Sequence, residues 1–225
     1  MRRSPLRRAL RAVALVTMMT GAGAVPAPAL AQDAGTATTP PAPTVARVAV
    51  AKKRLDVRTG RRALVAGTVR PAGAGLVAAL QIKRGHRWVT QDRDLTSASG
   101  RYFLRDRRRV PMSVPVRVRV RGNGTAATRR LGRLNVFRYA LASWYGPGLY
   151  GGLLGCGGRL RYGRLGVAHK TLPCGTMVTL RHRGRHVRVP VIDRGPYVGA
   201  REYDLTEATA RRLHFRGHGA ILTTR

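Results

Sequence analysis

The chain has 225 residues, and its 43 Lys and Arg against nine Asp and Glu give a formal net charge of +34 at pH 7. That length accommodates two small domains, and no run beyond the N-terminus is long and apolar enough to cross a bilayer as a helix. The charge implies attraction to polyanions, yet 39 of the 43 cations are Arg and only four are Lys, a skew that codon bias in a GC-rich genome also produces. Charge by itself therefore selects no partner.

Residues 1–31 read as a secretory signal peptide. Arg2, Arg3, Arg7, Arg8 and Arg11 precede a short apolar stretch, and Ala29-Leu30-Ala31 has the small-x-small form of a signal-peptidase site. Removing this segment leaves a net charge of +29. Residues 32–44, rich in Pro, Thr and Ala, cannot bury a core and read as a disordered linker. Export places the protein in the cell wall or outside the cell, favours anionic wall polymers over nucleic acid as polyanion partners, and leaves the mature protein without a stable membrane span.

Residues 45–138 alternate in short strand-like runs. Val116, Val118 and Val120 interleave with Arg117, Arg119 and Arg121, placing valines on one face and guanidiniums on the other. Residues 63–69, 77–82 and 101–104 are further strand candidates, separated by Thr59-Gly60, Pro71-Ala72-Gly73, Ser99-Gly100 and Gly122-Asn123-Gly124. Short strands at this spacing predict a small antiparallel, immunoglobulin-like β-sandwich. Its acids (Asp56, Asp92, Asp94 and Asp106) lie scattered among arginines and form no catalytic set.

Residues 139–225 form a second domain. A strand over 141–145 leads into a Gly-rich loop, and residues 177–181 and 185–192 make a hairpin across Arg183-Gly184. One short helix follows, with Asp204 as its cap, Glu207 completing a capping box, and Leu205, Ala208 and Leu213 on one face. Residues 220–223 give a closing strand. Five or six strands and one helix in so short a stretch predict a closed barrel, so the whole chain is mainly β. Cys156 and Cys174 are predicted to form a disulfide, because two thiols in an exported chain lack the further ligands a metal site needs. No cofactor is expected.

Four carboxylates fall in this domain: Asp193, Glu202, Asp204 and Glu207. The capping box accounts for Asp204 and Glu207, and a surface ion pair for Glu202. Asp193 remains, ending the strand Val189-Pro190-Val191-Ile192 before the turn Arg194-Gly195-Pro196, either as a general acid or as an acceptor of backbone hydrogen bonds in that turn. His169 precedes Cys174 in a segment that the disulfide would fix, and Ser143 lacks the G-x-S-x-G elbow of a serine hydrolase.

The order Ala142-Ser143-Trp144-Tyr145-Gly146, Ala168-His169-Lys170-Thr171-Leu172-Pro173-Cys174-Gly175-Thr176, Ile192-Asp193-Arg194-Gly195-Pro196-Tyr197 and Tyr203-Asp204-Leu205-Thr206 resembles the RlpA-like (rare lipoprotein A) double-psi β-barrel family, with a wider likeness to expansin and barwin barrels. The resemblance covers about residues 141–222. It implies a six-stranded double-psi barrel and a lytic transglycosylase acting on peptidoglycan glycan strands, in which one acid protonates the oxygen between MurNAc and GlcNAc and the MurNAc C6 hydroxyl attacks C1. It further implies Asp193 as the catalytic acid/base and His169 as the active-site histidine, with Trp144, Tyr145, Arg194 and Tyr197 as substrate-binding residues. The family's N-G-E loop reads Cys156-Gly157-Gly158 in this chain, with Gly158 where the glutamate falls. A non-catalytic polysaccharide-binding or expansin-like wall-loosening module is the alternative.

Overall fold

The computed structural model describes residues 45–225, so the expected signal peptide and linker lie outside the described residues. The first strands are β1 (Arg47–Arg54), β2 (Asp56–Arg58), β3 (Arg62–Arg70), β4 (Val77–Arg84), β5 (Arg87–Leu95), β6 (Arg101–Arg107) and β7 (Met112–Gly122). They build two sheets, β1-β3-β6 and β5-β4-β7, the latter extended by the long strand β8 (Thr125–Tyr145) with β2 on its far edge. Alternation does what the sequence pattern indicated: Val116, Val118 and Val120 are fully buried with Val65, Leu80, Ile82, Leu104 and Leu134. The opposite face of β7 is polar, with Arg117 lying over the Trp88 ring and donating to Gln81.

The second core belongs to the barrel. After β8 come β9 (Val167–His169), β10 (Met177–His182), β11 (Arg185–Asp193), β12 (Tyr203–Thr206), helix α1 (Glu207–Leu213) and β13 (Gly219–Thr223). Pairing runs β12-β9-β11-β10-β13-β8, and β8 pairs back onto β12, closing a six-stranded ring without a free edge. The β9–β11 and β8–β12 pairs are parallel and the others antiparallel, the mixed pairing of the expected double-psi barrel. Val178, Leu180, Val189, Val191, Tyr203, Leu205 and Ile221 from its strands form the core, joined by Leu213 of α1.

Two sequence expectations change. The strand expected at 141–145 is only the end of β8, which pairs with β7 and β2 through Phe137 and with β13 from Arg138, so one strand serves both cores. The helix is not capped by Asp204. Its cap is Thr206, whose hydroxyl accepts the Thr209 N–H, and Asp204 and Leu205 belong to β12. Threonine is also a favoured cap residue, and sequence spacing alone did not separate Thr206 from Asp204.

Candidate functional site

Strand register creates the site. Asp193 on β11 pairs with Ala168 on β9, Ala168 pairs with Asp204 on β12, and Asp204 pairs with Ser143 on β8. Residues paired directly across neighbouring strands project to the same face, so four side chains form one row on the outer surface of the barrel. Ala168 holds the strand position between the two acids, and the Tyr145 hydroxyl lies near both carboxylates. Two strand spacings put their backbones about 10 Å apart. A register shift between Val191 and Asp193 turns Asp193 outward, where an uninterrupted strand would alternate it towards the barrel interior.

Each acid is held differently. Oδ1 of Asp193 accepts the backbone N–H of Gly155 at 2.7 Å and of Arg194 at 2.8 Å, tying the carboxylate to the loop that follows β8. Gly155 is required there, because a Cβ would stand 2.8 Å from Cγ of Arg194. Asp204 is half-buried and accepts the Ser143 hydroxyl at 2.8 Å. Burial pushes its pKa up, opposed by the Ser143 hydrogen bond and the Arg201 charge, and the negative charge of Asp193 adds to the rise. The Tyr145 hydroxyl is buried without a hydrogen-bond partner of ordinary geometry. Burial first, and then the neighbouring Asp193 carboxylate, raise its pKa above the ordinary phenol value.

The loop from 146 to 166 covers this row. Its Leu154 and Leu160 pack with Ile192 and Tyr145 in a small separate cluster. Cys156 and Cys174 form the expected disulfide, joining the loop to the segment after β9. Gly157 and Gly158 both have positive φ, at +92° and +77°. A left-handed backbone at 158 disfavours any side chain there.

His169 lies apart from the acids. Ala168 faces the row, so its neighbour points the other way, and the His169 ring meets the Tyr203 ring edge-on at 4.9 Å. Its Nδ1 accepts the N–H groups of Thr171 at 3.1 Å and Leu172 at 3.0 Å. An imidazole nitrogen that accepts two N–H groups has a lone pair and no proton, so the ring is the neutral Nε2–H tautomer. Burial lowers its pKa further, only partly offset by Glu202. Arg194 is also engaged: its guanidinium donates to the carbonyls of His169 at 3.2 Å and Leu172 at 2.7 Å and reaches the Cys174 sulfur. It clamps the 169–174 segment.

Of the aromatic candidates, Tyr145 reaches the acid row. Trp144 is on the face of Ala142 and Leu205, opposite Ser143 and Asp204, and Tyr197 is 75% exposed beyond the turn after Asp193. Tyr150 and Tyr162, missed in the sequence, stack edge to face at a 5.9 Å centroid distance on the covering loop, and Tyr150 donates to Glu207. Glu202 makes the surface ion pair expected of it, a two-pronged contact with Arg138 at 2.9 and 2.6 Å. Asp204 is the candidate that sequence reasoning set aside, because its place before Glu207 imitates a capping box.

Residues 139–223 match a family model described as lytic transglycolase. A probable endolytic peptidoglycan transglycosylase RlpA of Synechocystis sp. is 36% identical over 104 residues, covering 41% of this chain and 32% of that protein. The endolytic peptidoglycan transglycosylase RlpA of Campylobacter jejuni is 41% identical over 81 residues, covering 35% of this chain and 30% of its own length. The chain thus spans about a third of the length of the curated relatives it matches. Among solved structures, a Streptomyces papain inhibitor aligns with 40% of this chain and 94% of its own, at 23% identity and a TM-score of 0.31.

Proposed function

We propose that the RlpA-like double-psi β-barrel of residues 139–223 is a lytic transglycosylase of an exported cell-wall protein, cleaving the MurNAc–GlcNAc bonds of peptidoglycan glycan strands to leave 1,6-anhydro ends. The observation that carries this reading is the Asp193–Ala168–Asp204–Ser143 row. It places two carboxylates on one face, one of them with a raised pKa, beside a tyrosine and under a loop bearing further tyrosines.

Intramolecular transglycosylation needs one proton donor, one proton acceptor and no catalytic water. Asp204, favoured in its protonated form by burial and by the neighbouring charge, supplies a proton to the glycosidic oxygen, and GlcNAc departs with that oxygen as a hydroxyl. Asp193, anchored through Oδ1 by two backbone N–H groups, takes the proton of the MurNAc C6 hydroxyl as its oxygen bonds to C1. The cycle ends with the proton on Asp193, and exchange with solvent restores the starting pair. Tyr150, Tyr162 and Tyr197, all exposed, offer ring faces to the sugar chain, while the buried Tyr145 hydroxyl stays beside Asp193. His169 and Arg194 act as positioning residues that hold the 169–174 segment against β11.

The test is digestion of purified sacculi followed by mass spectrometry. The wild-type protein releases 1,6-anhydro-muropeptides, and Asp193→Asn and Asp204→Asn each abolish the release. Gly158, in place of the family glutamate, favours one other reading, a glycan-binding module. On that reading the protein pellets with sacculi and releases nothing. Products with only reducing ends would refute both in favour of a hydrolase.

A further inference from the structure

On the side of the barrel where the β10–β11 turn meets the sandwich, a cavity of about 800 Å3 is lined by seven arginines. Arg54, Arg58, Arg61, Arg62 and Arg107 come from the sandwich and its turns, and Arg181 and Arg183 from the hairpin. None of the seven is ion-paired to a carboxylate among the described residues. Their polar contacts go to neutral acceptors: Arg58 to the Tyr139 hydroxyl, Arg54 to the Arg62 carbonyl and Arg107 to the Gly60 carbonyl. Asp56, the one acid in the lining, is taken by the Asn135 amide at 2.6 Å. Like charges brought together by folding, with nothing opposite them, are a site for an external anion.

The cavity is one section of a longer track. Arg183 also lines a neighbouring cavity of about 750 Å3, which adds Arg211, Arg216, His182, His214 and His218 and contains no acid. A ligand that answers both cavities is a chain bearing repeated negative charges. Guanidinium forks match phosphate oxygens in pairs, whereas the neutral MurNAc–GlcNAc backbone gives them nothing to neutralise. Of the aromatic rings along the track, Phe215 is buried against His182, and Tyr139, though exposed, has Arg58 over one face. A single exposed ring among the arginines and histidines of the track is too few for successive bases to stack on, so the track suits a base-free polymer over single-stranded nucleic acid.

We infer that the arginine-lined track across the sandwich–barrel junction binds a linear phosphodiester polyanion of polyol units, at a site separate from the acid row. Such a contact would hold the barrel on a phosphate-bearing wall while the acid row works on the glycan. It is independent of the catalytic reading, because a chain with no transglycosylase activity would bind the polymer equally well.

Fluorescence anisotropy of labelled poly(glycerol phosphate) with the full-length protein tests this. The variant Arg61→Gln/Arg62→Gln/Arg183→Asn alters exposed side chains of the track, and asparagine suits the left-handed backbone at 183. It is expected to weaken binding about tenfold or more, and to lower the slope of log K against log salt by about 2, at about 0.7 for each phosphate no longer neutralised. Arg121→Gln/Arg129→Gln/Arg130→Gln removes the same charge from the exposed far end of the sandwich and is expected to change affinity less than about threefold. Asp193→Asn leaves binding unchanged, which separates this inference from the catalytic one. Equal weakening by the two triple variants would reduce the effect to general charge attraction and overturn the inference. So would tighter binding of single-stranded DNA with the same number of phosphates. If the track variant melts early, Arg61→Lys/Arg62→Lys/Arg183→Lys replaces it. That variant keeps the charge and loses the forked geometry, so affinity should fall severalfold with the salt slope kept, and unchanged affinity overturns the inference.

Discussion

Replacing both cysteines, as Cys156→Ser/Cys174→Ser, removes a cross-link whose loop spans a sequence separation of 18. In the chain-entropy treatment, closing a loop of that length removes about 11 cal/mol/K from the unfolded chain, or about 3 kcal/mol at room temperature. The described residues form one compact unit, for which each kcal/mol shifts the melting temperature by roughly 2–4 °C. The double variant should therefore melt roughly 6–12 °C below the oxidised wild type. Reductant should lower the wild-type melting temperature by a similar amount and leave the variant unaffected. The disulfide also ties the loop carrying Gly155, whose N–H holds Asp193, to the segment clamped by Arg194. Release of anhydro-muropeptides should accordingly fall further than the population of folded protein at the assay temperature. Calorimetry with and without reductant, run beside the digestion assay, measures both effects. A melting temperature that neither the variant nor the reductant moves would refute the stabilising role, and activity that tracks the folded fraction alone would refute the link to Asp193.

Asp204 carries a raised pKa in the fold, so its ionisation opposes folding: its contribution is favourable below the unfolded carboxylate pKa and is lost as pH rises through the folded value. Asp204→Asn should thus leave the protein at least as stable as wild type at neutral pH while abolishing activity, and a marked fall in melting temperature would count against this placement. His169 behaves in the opposite sense, because its folded pKa is lowered from 6.5: its stabilisation is present above that value and is lost as pH falls through the folded pKa. His169→Asn keeps an acceptor where Nδ1 stands, and should flatten the decline in stability on the acid side, read as melting temperature against pH. Gly155→Ala forces a methyl group against the Arg194 side chain and should cost about 1–3 kcal/mol by denaturant titration. It should also lower activity by displacing the N–H from Asp193, and full activity would show that this hydrogen bond is dispensable.

Local chemistry made much of this fold legible. Val116, Val118 and Val120 announce a buried strand face because the two-residue period of a strand is written directly into the chain. The hairpin across Arg183-Gly184 is visible for the same reason, since turn residues flank two alternating runs. β1 and β5 were not visible, because both are edge strands with little to bury: β5 is mostly polar and charged, and β1 follows a short Val/Ala run with Lys52-Lys53-Arg54. The Cys156–Cys174 pair could be read from the shortage of other partners. Asp193 could be read as a carboxyl at a strand end before a sharp turn, a position that local sequence does specify.

What the chain could not state by itself is adjacency. Ser143, Ala168, Asp193 and Asp204 are up to 61 residues apart, and they meet only because a closed ring of six strands fixes every register at once. A shift of one residue in β12 would exchange the faces of Asp204 and its neighbours and return the acid to an ordinary role. The arginine track has the same origin: its residues are indistinct among 39 arginines until the continuity of β8 brings sandwich and barrel edges together. Sequence determined which residues are buried and where the chain turns, since those depend on neighbours along the backbone. Tertiary structure decided which charges face one another, since that depends on neighbours across it.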